Sequence, residues 1–389
     1  MSHQLINLSP DLKRLRDEGY EVQIKSGHLL ISGVPHINLN REVKYGTLVS
    51  TLHLAGNVTT KPDTHVGMFK GDYPCHKDGT PIEGFRHASN TQFLAEGVEI
   101  NHSFSSKPQD GLGYPDYYEK MKRYIDIISA PTGLSAQTFK VIESEDKESV
   151  FKYLDSWSSR AGISIINDRF KNQKIAIIGL GGTGSYVLDL VAKTPVAEIH
   201  LFDGDRFLQH NAFRAPGASS LEELNEFNYK VDYFHKIYSN MHKNIIAHTD
   251  YLNEHNINDL PHFDFVFICI DKGEIKKLLI TKLESEAATF IDVGIGVQAV
   301  KDALIATVRV TTSTAEKRDH FGKKVSLTDR DDDEYAQNIQ IAELNSLNAS
   351  LAVIKWKKLS GFYHDHENEH HTTYTVDTNL LLSECLNED

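Results

Sequence analysis

Cysteine is scarce in this chain: Cys75, Cys269 and Cys385 are the only three in 389 residues. That excludes a disulfide framework and any zinc site built from paired Cys-x-x-Cys motifs. Cationic charge is also short, with 41 Lys+Arg against 54 Asp+Glu and a formal net charge of −13. An acidic chain is a poor general binder of nucleic-acid backbone, so a nucleic-acid partner is not expected. No stretch approaches 18 consecutive apolar residues, and MSHQLINLSPDLKRL lacks the basic-then-apolar pattern of a signal peptide. The expectation is a soluble, cytoplasmic protein without a membrane partner. Internal repeats and long low-complexity linkers are missing too.

What is present suffices for packed cores: 40% hydrophobic, 24% charged and 9% aromatic residues. The length suggests two domains, and the texture changes near residue 150. The expected division is 1–148, a smaller α+β domain, and 149–389, an α/β domain. The first part opens with a helix at Pro10–Glu18, capped by Ser9 with Pro10 at its first position. Strand-like runs follow at Tyr20–Ile24, His28–Val34, Gly46–Leu54 and His65–Phe69, and their alternation predicts an antiparallel meander. A turn-rich segment, GDYPCHKDGTPIEG, then leads towards a helix in YPDYYEKMKRYIDIIS.

From Lys174 the pattern changes to alternating strands and helices. KIAIIG stops at glycines and passes into the helical SYVLDLVAKT. AEIHLFD, FDFVFICID and ATFIDVGIG read as further strands, with the helix KKLLITKLESEA between the last two. This order predicts a doubly wound, Rossmann-like parallel sheet. A long helical stretch, EYAQNIQIAELNSLNASLAVIKWKKLSG, ends at Gly361. The acidic run Asp329–Glu334 before it suits the helix dipole better than a metal.

The loop between the first of these strands and its helix is Gly179-Leu180-Gly181-Gly182-Thr183-Gly184-Ser185. Gly179, Gly181 and Gly184 have the spacing that turns a chain tightly and brings backbone N–H groups to phosphate at a helix N-terminus. Asp203 ends the next strand, placed to reach ribose hydroxyls. These features alone fit an NAD-dependent dehydrogenase. The residues that follow, Asp205, Asn211, Arg214, Lys230 and Asp271, fit a triphosphate better. Its β and γ groups need cationic and amide donors, and Mg²⁺ needs a carboxylate.

The stretch from about Ser159 to Gly296 resembles the ThiF/MoeB/ubiquitin-activating-enzyme superfamily of adenylyltransferases. The resemblance is carried by GLGGTGS, LFDGD, HNAFR, the lysine of KVDY and ICID, in that order. It implies that ATP and Mg²⁺ are used, with Gly181 and Gly182 against the nucleotide and Asp203 on the ribose. Asn211, Arg214 and Lys230 would then grip the phosphates, and Asp271 would hold Mg²⁺. Arg160, in SSRAGI, resembles an arginine that reaches into a partner subunit's site, which implies a homodimer. The chain departs from the family in having Ala215 where Gln often follows the arginine. The implied reaction is attack of a substrate carboxylate on the α-phosphate of ATP. The substrate would be a ubiquitin-like or sulfur-carrier protein, and a JAB-type protease encoded nearby would fit such a role. Activation of a carboxylate on tRNA, and a nucleotide-binding scaffold without catalysis, are the alternatives.

No cysteine lies between Asp271 and Glu384, so the domain lacks a downstream thiol for a thioester. Cys269, inside an apolar run, reads as a core residue, and Cys385 stands in an acidic tail that disfavours its thiolate. Cys75, with His76 and Lys77 adjacent in a polar loop, reads as an exposed thiol where thiolate is favoured. The order of helix, meander, Tyr-Pro and cysteine loosely resembles ubiquitin-conjugating enzymes, which occur fused to activating domains in bacterial antiviral systems of the CBASS type. The His-Pro-Asn element of those enzymes is absent. An accessory recognition domain is the plainer reading. HDHENEHH, at His364–His371, would hold a metal through His366, His370 and His371 only if helical spacing applied.

Overall fold

The computed structural model describes residues 2–108, 111–141, 149–327 and 339–384. The chain divides into two compact units, Met1–Ile142 and Glu143–Asp389. The boundary expected at 148 falls in residues 142–148, outside the described residues, as do Asp329–Glu334 and Cys385.

The first unit opens with α1 (Ser2–Leu8), which the sequence reading did not foresee, and α2 (Pro10–Asp17). The strands are β1 (Glu21–Lys25), β2 (His28–Ile37), β3 (Val43–Thr51), a small hairpin of β4 (Leu54–Ala55) and β5 (Val58–Thr59), β6 (Val66–Lys70), β7 (Arg86–Ala95) and β8 (Val98–Ser105). The sheet order is β1-β2-β3-β6-β8-β7, antiparallel throughout. The expected four-strand meander is therefore present, and the following hairpin joins it through its second strand. Helix α3 (Tyr117–Ser129) presents Tyr117, Met121, Tyr124, Ile125 and Ile128 at helical spacing to a core that includes Leu29, Ile31, Leu48 and Phe104. Asp116 caps it by accepting the Glu119 N–H at 2.8 Å.

Lys120 lies on the buried side of α3, with no exposed surface, and donates to Ser50 Oγ at 2.8 Å. Burial lowers its pKa from the ordinary 10.5 to about 8, against a smaller opposite pull from Asp63. Between pH 8 and 10.5 the unfolded chain holds this proton and the folded chain does not. Stability should therefore rise with pH across that window, and the full penalty, about 3 kcal/mol, applies below pH 8. Lys120→Met should stabilise the chain towards urea at pH 7, and the difference from wild type should shrink by pH 10. An equal difference at both pH values would contradict this account.

Cys75 is not the exposed thiol that its polar neighbours suggested. Its N–H donates to the Ile37 carbonyl at 2.8 Å, which pins it to the end of β2, and the residue is fully buried. His76 and Lys77 face solvent instead. Burial, then Asp72 and Asp78, push the thiol pKa up, so thiolate is disfavoured.

In the second unit α4 (Ser156–Ala161) and α5 (Ser164–Asn167) precede β9 (Lys174–Ile178) and α6 (Gly182–Val191). Then come β10 (Glu198–Phe202), α7 (Gln209–Ala212), α8 (Leu221–Asn225), α9 (Lys230–Tyr238), β11 (Ile245–His248), β12 (Phe265–Ile268) and α10 (Gly273–Ser285). The unit continues with β13 (Phe290–Val300), β14 (Ala303–Ser313), α11 (Phe321–Lys324), α12 (Ala342–Leu359), β15 (His371–Thr375) and β16 (Leu380–Glu384). The sheet order is β11-β10-β9-β12-β13-β14-β15-β16. The first five strands are parallel, as a doubly wound fold requires, and the last three pair antiparallel. Strand β9 is central: the chain moves to one side through β10 and β11, then returns to its other side with β12. Loops leaving β9 and β12 therefore diverge and open a crevice at their carboxyl ends. Ile175, Ile177, Leu201, Phe267 and Ile291 fill the face beneath α6 and α12, with Trp356 fully buried among them. No described helix is long and apolar enough to cross a membrane.

Candidate active site

The crevice is a cleft of about 230 Å³. Its walls come from the ends of four parallel strands: Ile178 and Gly179, Phe202 to Asp205, Asp250 to Leu252, and Ile270 to Lys272. Gly179 has φ +91°, the left-handed region, and a Cβ there would stand 2.7 Å from the Cys269 carbonyl oxygen. At Gly184 a Cβ would overlap the Gly179 carbonyl oxygen itself. These two glycines let the turn close and helix α6 begin directly beside it.

Asp203 pins this turn. Its Oδ2 accepts the Leu180 N–H at 2.7 Å, and its Oδ1 accepts the Asp205 N–H at 2.9 Å. Each carboxylate oxygen has a further lone pair for a ligand hydroxyl. Lys230, buried at the start of α9, places Nζ 2.6 Å from Asp205 Oδ2 and 3.5 Å from Asp203. Burial pushes the Asp205 carboxyl up, but hydrogen bonds from Lys230 and Tyr251 outweigh it and hold it below its ordinary value. The bond to Asp205 in turn raises the Tyr251 phenol to about 12. Tyr251 is a site residue that sequence reading missed. Its only signal was position, just past the end of the third parallel strand.

Asn211 and Arg214 stand on and after α7. Asn211 is buried and accepts the Leu208 N–H at 2.8 Å, while its carbonyl receives the Arg214 N–H at 3.1 Å. Arg214 Nε is buried with no hydrogen-bond partner among the described residues. A buried donor left in that state is costly unless a ligand engages it. Asp271 is exposed in the cleft wall. It lies in the loop after β12, since that strand ends at Ile268 and not at Asp271. Arg160 is exposed on α4 and does not line the cleft. Cys269 is half-buried, and burial followed by Asp292 pushes its thiol well up, which fits a structural residue. The histidines at 364–371 do not adopt helical spacing. His371 starts β15, His366 is exposed, and no group of three metal-ligating side chains forms among the described residues.

Residues 155–354 match the model of the ThiF family, just over half of the chain. The chain belongs to the ThiF family. Its Rossmann-like domain follows a region, residues 10–156, that matches a domain of unknown function (DUF6791). Solved structures similar to this ThiF-family chain include E. coli MccB with MccA-N7isoASN, at 17% identity and a TM-score of 0.47, covering 57% of this chain and 66% of that one. E. coli MccB with AMPCPP and MccA has 16% identity and a TM-score of 0.48, covering 63% and 73%. PaaA has 16% identity and a TM-score of 0.45, covering 57% and 75%. The chain thus spans slightly less than two thirds of the first of these relatives. No curated protein matches the chain by sequence.

Proposed function

We propose that this protein is an ATP-dependent adenylyltransferase that activates a carboxylate of a peptide or protein. The observation that carries the reading is one cleft, at the sheet's switch point, into which the glycine turn, Asp203 and Asp271 all converge, with Lys230 tied to its wall. ATP would place its ribose at Asp203 and its phosphates towards Gly181, Gly182, the N-terminus of α6, Asn211, Lys230 and Arg214. The buried Arg214 Nε suits that task, because a phosphate oxygen would supply its missing acceptor.

In the reaction a substrate carboxylate oxygen bonds to the α-phosphorus while the α–β bridging P–O bond breaks. The products are an acyl-adenylate and pyrophosphate. The attacking carboxylate is already ionised near neutral pH, so no protein base has to take a proton. What the protein supplies is alignment and positive charge. The exposed Asp271 carboxylate, a hard oxygen donor, fits Mg²⁺, which would neutralise charge on the phosphates. The finer reading takes the carboxylate as the C-terminus of a ubiquitin-like or sulfur-carrier protein. Arg160 would serve a partner subunit of a homodimer, and Cys75, buried with a raised pKa, contributes nothing to this step.

ATP–pyrophosphate exchange tests the proposal. Exchange should appear only when a carrier with a free C-terminal carboxylate is added, and an amidated C-terminus should support none. Absence of exchange across a panel of ubiquitin-like proteins and peptides would remove the reading.

A further inference from the structure

We propose that Asn345 is a positioning residue of the nucleotide site, holding the Arg214 segment against the glycine loop, and that this is why position 182 carries no side chain. The inference rests on the nucleotide-binding reading of the cleft. Asn345 lies in the first turn of α12 and has no exposed surface. Its Oδ1 accepts the Thr183 hydroxyl at 3.0 Å, and its Nδ2 donates to the Arg214 carbonyl at 3.4 Å. A Cβ on Gly182 would overlap this carboxamide. One buried amide therefore joins the start of α6 to the arginine segment, and it fits only because residue 182 is glycine.

Both ends of the carboxamide are engaged inside the protein and the residue has no exposed surface, which marks Asn345 as acting through its neighbours. Arg214 is held on both sides of its own peptide, by the Asn211 carbonyl at its N–H and by Asn345 at its carbonyl. Its Nε remains buried without a partner among the described residues. Gln340 Oε1, also buried and unpartnered among the described residues, lies 4.0 Å from where a Cβ on Gly181 would be. The carboxamide that holds the Arg214 carbonyl and the unmet Gln340 acceptor thus both stand beside the glycine turn. Small displacements of such groups weaken a phosphate grip steeply, because charge-assisted hydrogen bonds depend on distance and angle.

The test is calorimetric binding of ATP and of adenosine to the full chain, with pyrophosphate exchange measured on the same samples. Asn345→Leu should weaken ATP by about tenfold or more while adenosine changes by less than about twofold. Thr183→Val should shift ATP in the same direction by less, and Thr183→Ser should behave as wild type. Thr183→Val added to Asn345→Leu should cost nothing further, since the bond it removes is already gone. Equal losses for both ligands, or additive losses in the double variant, would overturn the proposal. A wild type that binds ATP yet exchanges no pyrophosphate with any carrier of the panel would remove the adenylyltransferase reading and leave the ATP-to-adenosine ratio to decide on Asn345. A wild type that binds no ATP would overturn both.

Discussion

Asp271→Ala should reduce ATP–pyrophosphate exchange on the order of 10³-fold, to background, while leaving the fold intact. The two halves of this expectation have separate physical origins. Asp271 is exposed in the loop beyond β12, so its truncation opens no cavity, and stability should move by no more than about 0.5 kcal/mol. The loss of exchange follows from its place in the cleft wall, where two of the other three carboxylates, Asp203 and Asp205, are held by bonds within the protein. Asp203 accepts two backbone N–H groups, and Asp205 accepts from Lys230 and Tyr251. Neither is placed to take over without dismantling the turn. A melting curve matching wild type together with abolished exchange would support the assignment, whereas undiminished exchange would show that Asp271 plays no part in the chemistry.

Gly184→Ala should instead fail at the level of folding. Inside a helix, alanine is ordinarily favoured over glycine by about 1 kcal/mol. Here the added Cβ would overlap the Gly179 carbonyl oxygen and stand 3.2 Å from the Cys269 Cβ. Backbone atoms of a pinned turn cannot yield as the end of a flexible side chain can. The expected cost is at least about 3 kcal/mol, opposite in sign to the propensity effect. For a unit of this size that corresponds to roughly 6–12 °C in Tm. A melting temperature within 2 °C of wild type, measured by circular dichroism, would refute the close approach.

Much of the second unit was legible because its signals are local. A buried strand, a glycine turn and a helix occur within Lys174–Val191, and Asp203 follows directly after the next strand. The parallel sheet follows from that alternation. What sequence reading missed depends on contacts between distant segments. Asn345 meets Thr183 across 162 positions, and no periodicity in α12 marks it as different from its neighbours. Tyr251 reaches Asp205 across 46 positions. The antiparallel strands β14 to β16 belong to no βα repeat, so alternation said nothing about them. In the first unit, local polarity misled: the residues around Cys75 face water, but its own backbone is bonded to Ile37, 38 positions earlier. The edge position of β7 was hidden for the same reason, since a hairpin may join a sheet through either strand.

The bonds that shape the glycine turn, from Leu180 to Asp203 and from Gly179 to the Phe202 carbonyl, are all internal to the protein. The ordering entropy of this loop is thus charged to folding and not to ligand capture. Nucleotide should dock onto a preformed cradle, with little conformational adjustment along β9 or β10. The same arrangement separates shape from chemistry in descent. On the proposed reading, a copy of this gene that lost Asp271 would lose turnover yet continue to fold and to present an intact nucleotide cradle, so that mutational decay of the activity would leave the architecture nearly unmarked.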